Sequence, residues 1–246
     1  MRSAGEIVLA QPQPRQCGLD QPHMHRLAAA LLRAGATPRR VHNNCSGKHA
    51  GMLAAALHQG LATRGYELAD HPLQRQIAAT LAGLAGLKRL AEPAIDGCGL
   101  PNHPLPLRAL ARAAATLVDS AGQPPARSAA LTRLAQAMQA RPELVAGTGR
   151  CCTAVMQAAP GVLAKTGAEG VYLGAVGATG LGLAIKAEDG GTRAAETALL
   201  AVLDHLGALG EAARAALDRW RRPTLRNFSG LTIGEIAAAD GWPGRA

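Results

Sequence analysis

The hydrophobic and polar positions of the first two-thirds of the chain recur with the period of amphipathic helices. Apolar residues return every three or four positions, and glycines stop the first two of these stretches, at Gly35 and Gly60. This spacing places the apolar side chains on one side of a helix. It predicts helices at Pro22 to Leu32, Cys45 to Leu57, Asp70 to Leu84, Leu105 to Val118 and Ala126 to Ala140.

The pattern changes after Gly161, where short apolar runs alternate with glycines and predict consecutive strands joined by tight turns. The predicted strands are Val162 to Ala164, Val171 to Leu173 and Leu181 to Ile185. Two further helices, Thr192 to Leu206 and Glu211 to Trp220, and a last strand, Leu231 to Ile233, are predicted after them. This order predicts an α+β fold with helices packed on a mainly antiparallel sheet, in one domain over residues 1–246.

The composition argues against a nucleic-acid-binding or membrane-spanning protein. The net charge is +9, but the 26 basic residues are spread along the chain, and aromatic residues make up only 2% of it. A nucleic-acid surface would need clustered cations and, for single strands, stacking aromatics. Neither an apolar run of eighteen residues nor a signal-peptide pattern occurs, so we expect a cytoplasmic protein. Five cysteines argue against a disulfide framework and leave thiols for catalysis or metal binding.

Cys45 and Lys48 are the first pair of residues that could take part in catalysis or metal binding. They stand three positions apart at the start of a predicted helix and therefore share a face. Asn43 and Asn44 precede them as capping residues, and a helix start is expected to lower the pKa of a cysteine. A lysine before an apolar run is a candidate base or ligand. The alternative is a structural cysteine beside a capped helix.

Two other segments carry candidate residues. Asp96-Gly97-Cys98-Gly99 predicts a tight turn, and with Cys45 it supplies two thiols and a carboxylate, which suit a soft metal such as zinc. The usual Cys-x-x-Cys spacing is absent, and an ordinary turn is an equal alternative. Lys165-Thr166-Gly167 ends a predicted strand, where penicillin-recognising serine enzymes carry a Lys-Thr-Gly that lines the substrate pocket. An exposed lysine at a strand end is the alternative there.

Five segments together resemble the asparaginase II family of L-asparaginases, in the order in which that family carries them. The resemblance runs from about Cys17 to the C-terminus. The segments are Asn43 to Leu53, Asp70-His71-Pro72-Leu73-Gln74 after Tyr66, Asp96 to Pro101, Arg141 to Gly147, and Lys165 to Gly170.

The resemblance implies a fold similar to serine β-lactamases and glutaminases, and hydrolysis of L-asparagine to L-aspartate and ammonia. It implies that Cys45, Lys48 and Cys98 match positions around a zinc ion, and that Asp96 matches an active-site carboxylate. Lys48, Asp96 and Lys165 are thus the catalytic candidates. The implied partners are a small amide substrate and a second copy of the chain in a homodimer, with no nucleic acid and no membrane.

One family motif is missing from the sequence. The family's nucleophile lies in a Ser-x-x-Lys motif upstream of the Asn-Asn-Cys-Ser-Gly-Lys segment, and none of the four lysines here follows a serine at that spacing. We therefore expect the chain to be truncated at its N-terminus relative to the family. Its activity is open to two alternatives: a catalytically inactive metal- or small-amide-binding homologue, or an amidase that uses Cys45 as nucleophile and Lys48 as base.

Overall fold

A computed structural model describes residues 30–37 and 39–244, which divide into two units. The first unit includes the described residues up to Gly83 together with Leu87–Leu105. The second includes Leu84–Gly86 and residues 106–244. The expectation of one domain over residues 1–246 stays a prediction.

Two helices and a small hairpin form most of the first unit. The helices are α1 at Ser46–His58 and α2 at Pro72–Ala85, and a 3₁₀ turn at Arg40–His42 precedes them. The hairpin consists of strands β1 at Ala94–Ile95 and β2 at Pro101–Asn102. α1 is rich in Ala and Leu, which favour helix. It ends at His58, and the φ of +65° at Gly60 lets the amide of Leu61 donate back to the Ala56 carbonyl oxygen at 2.9 Å.

The second unit contains seven helices and five strands among its described residues. The helices are α3 (Leu107–Ala115), α4 (Pro125–Ala140), α5 (Pro142–Ala146), α6 (Cys151–Ala158), α7 (Thr192–His205), α8 (Glu211–Ala216) and α9 (Asp218–Arg221). The strands are β3 (Val162–Thr166), β4 (Val171–Val176), β5 (Leu181–Lys186), β6 (Thr224–Arg226) and β7 (Thr232–Glu235).

An antiparallel sheet in the order β3-β4-β5 organises this second unit. Helix α6 packs on β3, α7 packs on β4, and α3 packs on β5. The approach of α3 is so close that a Cβ atom at Gly182 would collide with the Ala111 carbonyl oxygen, so only glycine fits there. The core lies among α6, α7 and the sheet, with Met156, Tyr172 and Leu199 almost completely buried.

The predicted α+β class is confirmed by this arrangement of helices and small antiparallel sheets. The predicted strands after Gly161 and most predicted helices occur, with ends shifted by a few residues. The predicted helix from Glu211 to Trp220 is interrupted at Leu217 into α8 and α9. The predicted helix from Pro22 to Leu32 lies outside the described residues except for 30–32, which are helical. Each described helix is too short or too polar to cross a bilayer.

Candidate active site

The start of α1 places Cys45 and Lys48 one helical turn apart. Cys45 is the N-cap residue, and its backbone N–H donates to the Asn43 side-chain oxygen at 2.8 Å. Asn43 therefore orders the loop before the helix, although it does not occupy the cap position itself. Lys48 is the third helical residue and extends from this end of α1 toward the hairpin of the same unit. The predicted common face of Cys45 and Lys48 follows from this local geometry.

The hairpin that joins β1 to β2 holds Asp96 in a fixed position. The Asp96 Oδ1 atom accepts hydrogen bonds from the backbone N–H groups of Cys98 at 2.8 Å and Leu100 at 2.9 Å. Gly99 has a φ of +83°, which lets the chain turn tightly enough for both donors to reach one oxygen. The other carboxylate oxygen is left to face Lys48. The predicted constrained turn is thus a device that orients one carboxylate.

Lys48 and Asp96 form an ion pair between segments almost fifty residues apart. Lys48 Nζ lies 3.2 Å from Asp96 Oδ2, and both side chains are partly exposed. Burial opposes the charge of Asp96, but the Leu100 and Cys98 amides and the Lys48 ammonium outweigh it and lower the pKa of Asp96. Burial likewise opposes the charge of Lys48, whereas Asp96 raises its pKa on balance. The pair is therefore charged at neutral pH.

The thiol of Cys45 lies beside that of Cys98, and both cysteines are half-buried. Burial and the hydrogen bond with the Cys98 thiol raise the pKa of Cys45, although the Lys48 charge acts in the opposite direction. The expectation that the helix start lowers this pKa is wrong, because lost hydration and a neighbouring thiol dominate. Cys45 is a neutral thiol at neutral pH, which is the reverse of what an activated cysteine nucleophile requires.

The donor atoms at this site can be compared with the needs of a zinc ion. Within the described part of the chain, no group of three or more His, Cys, Asp or Glu side chains is placed to hold a metal. The predicted ligands Cys45, Cys98 and Lys48 comprise two neighbouring thiols and one amine, and zinc binds sulfur and nitrogen donors. Zinc would need both thiols as thiolates and Lys48 as a neutral amine, so the set fits zinc on condition that binding displaces the protons of all three groups.

Three residues that sequence reasoning did not assign to the site support the helix that carries Lys48. His49 Nδ1 lies 2.6 Å from the Tyr66 hydroxyl, and the two rings meet edge to face. Buried Gln74 donates to the Tyr66 carbonyl oxygen at 2.8 Å. Both Tyr66 and Gln74 stand in the segment that resembles the family, and this resemblance was the only signal that pointed to them. They anchor α1 to the loop before α2.

Lys165 lies in the second unit, at the end of β3, as its strand-end motif predicts. Its Nζ donates to the neighbouring Thr166 carbonyl oxygen, and its side chain is exposed. The first-unit residues Cys45, Lys48, Asp96 and Cys98 come together with one another, whereas Lys165 belongs to a different unit. Its catalytic role stays a prediction.

A buried chain of polar groups lies behind this strand end and was missed by sequence reasoning. The Thr166 backbone N–H donates to Cys152 Sγ at 3.1 Å, and Cys152 Sγ lies 3.4 Å from the Tyr172 hydroxyl. Tyr172 in turn donates to Glu196 Oε1 at 3.1 Å. Burial raises the pKa values of Cys152, Tyr172 and Glu196, so this chain is held in its less charged forms. The members of this chain lie on two strands and two helices that are separate from one another in the sequence, so no local sequence pattern predicts their hydrogen bonds.

Comparison with models of known protein families gives a match. The family model described as L-asparaginase II matches residues 8–238, which is most of the 246-residue chain. A search of curated proteins finds no match. The matched span includes both the Cys45–Lys48 segment and the Lys165 strand end.

Proposed function

Because the chain belongs to the L-asparaginase II family, we propose that it is an amidohydrolase that converts L-asparagine to L-aspartate and ammonia. In this reaction the C–N bond of the side-chain amide breaks, and the nitrogen leaves as ammonia. The oxygen of one water molecule becomes part of the new carboxylate. The site assigned to this reaction is formed by Cys45, Lys48, Asp96 and Cys98.

The observation that carries the proposal is the pairing of Lys48 with Asp96. Lys48 Nζ lies 3.2 Å from Asp96 Oδ2, and the turn fixes the carboxylate through two backbone donors. A partly exposed ion pair contributes little to stability, and perturbed ionisable groups cluster at functional sites, so this fixed pair supports a functional role. Before zinc binds, a lysine held in this way offers positive charge where an amide carbonyl oxygen becomes negative, and a bound zinc ion would supply that charge in its place. We also propose a catalytic role for Lys165, on the support of its strand-end motif.

Zinc is the metal that we propose for this site. The thiolates of Cys45 and Cys98 and the neutral amine of Lys48 would hold it, and Asp96 would orient Lys48 beside it. Bound zinc supplies a Lewis acid that polarises a carbonyl group. The support is the contact between the Cys45 and Cys98 thiols beside the Lys48 amine.

The test measures ammonia release from L-asparagine by the purified protein, with and without added zinc, and the bound zinc by mass spectrometry. We expect ammonia release that Lys48→Ala abolishes and that Lys88→Ala leaves unchanged. Lys88 is an exposed lysine of the same unit and is the matched control. L-Glutamine is assayed in parallel to determine which amide is preferred.

Cys45→Ser separates the two enzyme mechanisms. Loss of ammonia release together with zinc supports the ligand role of Cys45. Loss of ammonia release with zinc retained instead supports a Cys45 nucleophile, which the high pKa of this thiol disfavours. A folded, monodisperse protein that releases no ammonia overturns the hydrolytic proposal and leaves a metal- or small-amide-binding homologue.

We also propose a cytoplasmic location and a homodimer. The homodimer rests on the resemblance of the sequence to the family, and the reduced cysteines of the described residues suit a cytoplasmic location. Sedimentation of the purified protein tests the homodimer.

A further inference from the structure

The second unit contains a cavity of about 680 Å³ whose residues have no part in the proposed reaction. Its volume lies within the range of small-molecule sites. The C-terminal half of α7, helices α8 and α9, and the segment that follows β7 surround it. The charged, polar and aromatic residues of its lining are Asp204, His205, Arg214, Arg221, Arg222 and Trp242.

One wall of the cavity is basic. Asp204 is the single carboxylate in the lining, and it accepts hydrogen bonds from both Arg214 and Arg221. Arg222 is paired at 2.8 Å with Glu235, whose side chain is half-exposed and outside the lining. Each guanidinium carries five N–H donors, and each of these arginines uses only a minority of them in hydrogen bonds within the described structure.

The arrangement of these arginines favours an anion over a cation. Asp204 holds two guanidinium groups in place at α7, so that the entropic cost of ordering them is already met before a ligand arrives. Asp218 lies 3.9 Å from Arg221 but is largely exposed, so water screens its charge. A planar guanidinium binds carboxylate and phosphate oxygens through paired donors. The basic wall therefore has the chemistry of a carboxylate or phosphate site.

The other lining residues are mostly apolar. Trp242 is 46% exposed although it is a large aromatic residue, and it lines the cavity beside Pro243. A second cavity of about 470 Å³ shares His205, Trp242 and Pro243 with the first, and its other lining includes Leu181, Val202 and Leu206. Trp242 therefore belongs both to the lining that contains the arginines and to the lining that contains these aliphatic side chains.

We propose that this cavity binds a small amphipathic anion, a molecule with a carboxylate or phosphate at one end and an apolar body at the other. The anionic end pairs with Arg214, Arg221 and Arg222. The apolar body lies against Trp242 and extends toward the aliphatic cavity. The site is independent of the proposed amide hydrolysis, so ammonia release is not part of its test.

The chain has two tryptophans, so Trp220→Phe leaves Trp242 as the only indole and makes its fluorescence a direct probe of the cavity. The titrants are octanoate below its micelle concentration, octyl phosphate, inorganic phosphate and neutral octanamide. We expect saturable changes with octanoate, octyl phosphate or both, and the comparison of these two identifies the anionic group. Inorganic phosphate lacks the apolar body, and octanamide lacks the anionic group. Each is therefore expected to bind at least tenfold more weakly than the preferred amphipathic anion.

Arg222→Gln is the informative substitution, since its partner Glu235 is half-exposed and tolerates the loss of the pair. We expect it to weaken binding of the preferred anion about tenfold, the loss of one charge-assisted hydrogen bond. Arg193→Gln, at an exposed arginine on the same helix as Asp204, is the matched control and is expected to leave binding unchanged.

Three results would overturn the proposal. They are the absence of binding by either amphipathic anion, octanamide binding as tight as octanoate binding, and an equal loss of affinity in Arg193→Gln and Arg222→Gln. Should Trp220→Phe fail to fold, the same titrations are followed by calorimetry on the unmodified protein, with the same expected order of affinities.

Discussion

Cysteines occur in both units of the protein, and the two pairs differ in how far water reaches them. Cys45 and Cys98 are half-buried beside the Lys48–Asp96 ion pair. Cys151 and Cys152 are completely buried in the core of the second unit. The pair that water reaches retains access to a metal ion or a substrate, whereas the inaccessible pair contributes packing and hydrogen bonds. Exposure therefore separates candidate chemistry from structure where residue type alone does not.

The acidic groups of the two regions show the same contrast. Asp96 accepts two backbone hydrogen bonds and faces a lysine, so its pKa is lowered and its charge is retained. Burial raises the pKa of Glu196, and its hydrogen bond from Tyr172 compensates only in part. The first carboxylate is available for catalysis at neutral pH. The second is destabilised when it is charged, which is typical of a structural group.

The largest expected difference is in the reactivity of the thiols. In a Cys17→Ser background, we expect Cys45 and Cys98 to react with a thiol reagent at mildly alkaline pH about a thousandfold faster than Cys151 and Cys152. The buried pair must wait for unfolding or a large opening of the second unit. Labelling over time followed by peptide mass spectrometry measures the four rates. Equal rates for the two pairs would remove the distinction between the regions.

Asp96→Asn tests whether the exposed pair serves chemistry. The amide keeps an oxygen for the turn but loses the charge that faces Lys48, so we expect kcat/KM for L-asparagine to fall about a hundredfold or more. Thermal unfolding is expected to change little, because an exposed ion pair adds little stability. Asp70→Asn, at an exposed aspartate of the same unit, is the control. A large fall in Tm with unchanged kcat/KM would assign Asp96 a structural role instead.

Tyr172→Phe tests the buried chain. Removing the hydroxyl leaves Cys152 and Glu196 without their shared partner, and we expect the free energy of unfolding to fall by about 1–3 kcal/mol. Tyr66→Phe removes a less buried hydroxyl that contacts His49, and its expected cost is about 1 kcal/mol or less. Urea denaturation measures both. A larger cost for Tyr66→Phe would reverse the assignment of the buried region as the structural one.

Glu196→Gln is expected to have the smallest effect of these substitutions, which is a change in how stability depends on pH. The folded-state pKa of Glu196 is raised, so its protonated form stabilises the fold below the ordinary glutamate pKa, and this stability is lost as pH rises through the raised value. Glutamine keeps an oxygen for the Tyr172 hydroxyl and does not titrate. Urea midpoints across the acidic range should therefore decline less steeply with rising pH in the variant. An identical slope in both proteins would show that Glu196 does not titrate abnormally.

Local patterns predicted most of the fold. α1 and β3 to β5 follow from apolar periodicity and from glycines that end each element, which are properties of neighbouring residues. α6 was missed because five of its eight residues are buried, so apolar side chains surround it and leave no period to detect. β6 was missed because its three residues gain their strand structure only by pairing with β7.

The sequence by itself determined most of the elements, the family and the residue types of the candidate site. Only the tertiary structure decided that Asp96 meets Lys48, that Cys45 keeps its proton, and that Cys152 joins Tyr172 and Glu196. The physical reason is that helices, turns and strands depend on contacts a few residues apart, which the sequence displays directly. Which side chains meet, and how much hydration each loses, depends on which distant segments pack together. Those contacts and that lost hydration then determine the ion pairs, the hydrogen bonds and the pKa values.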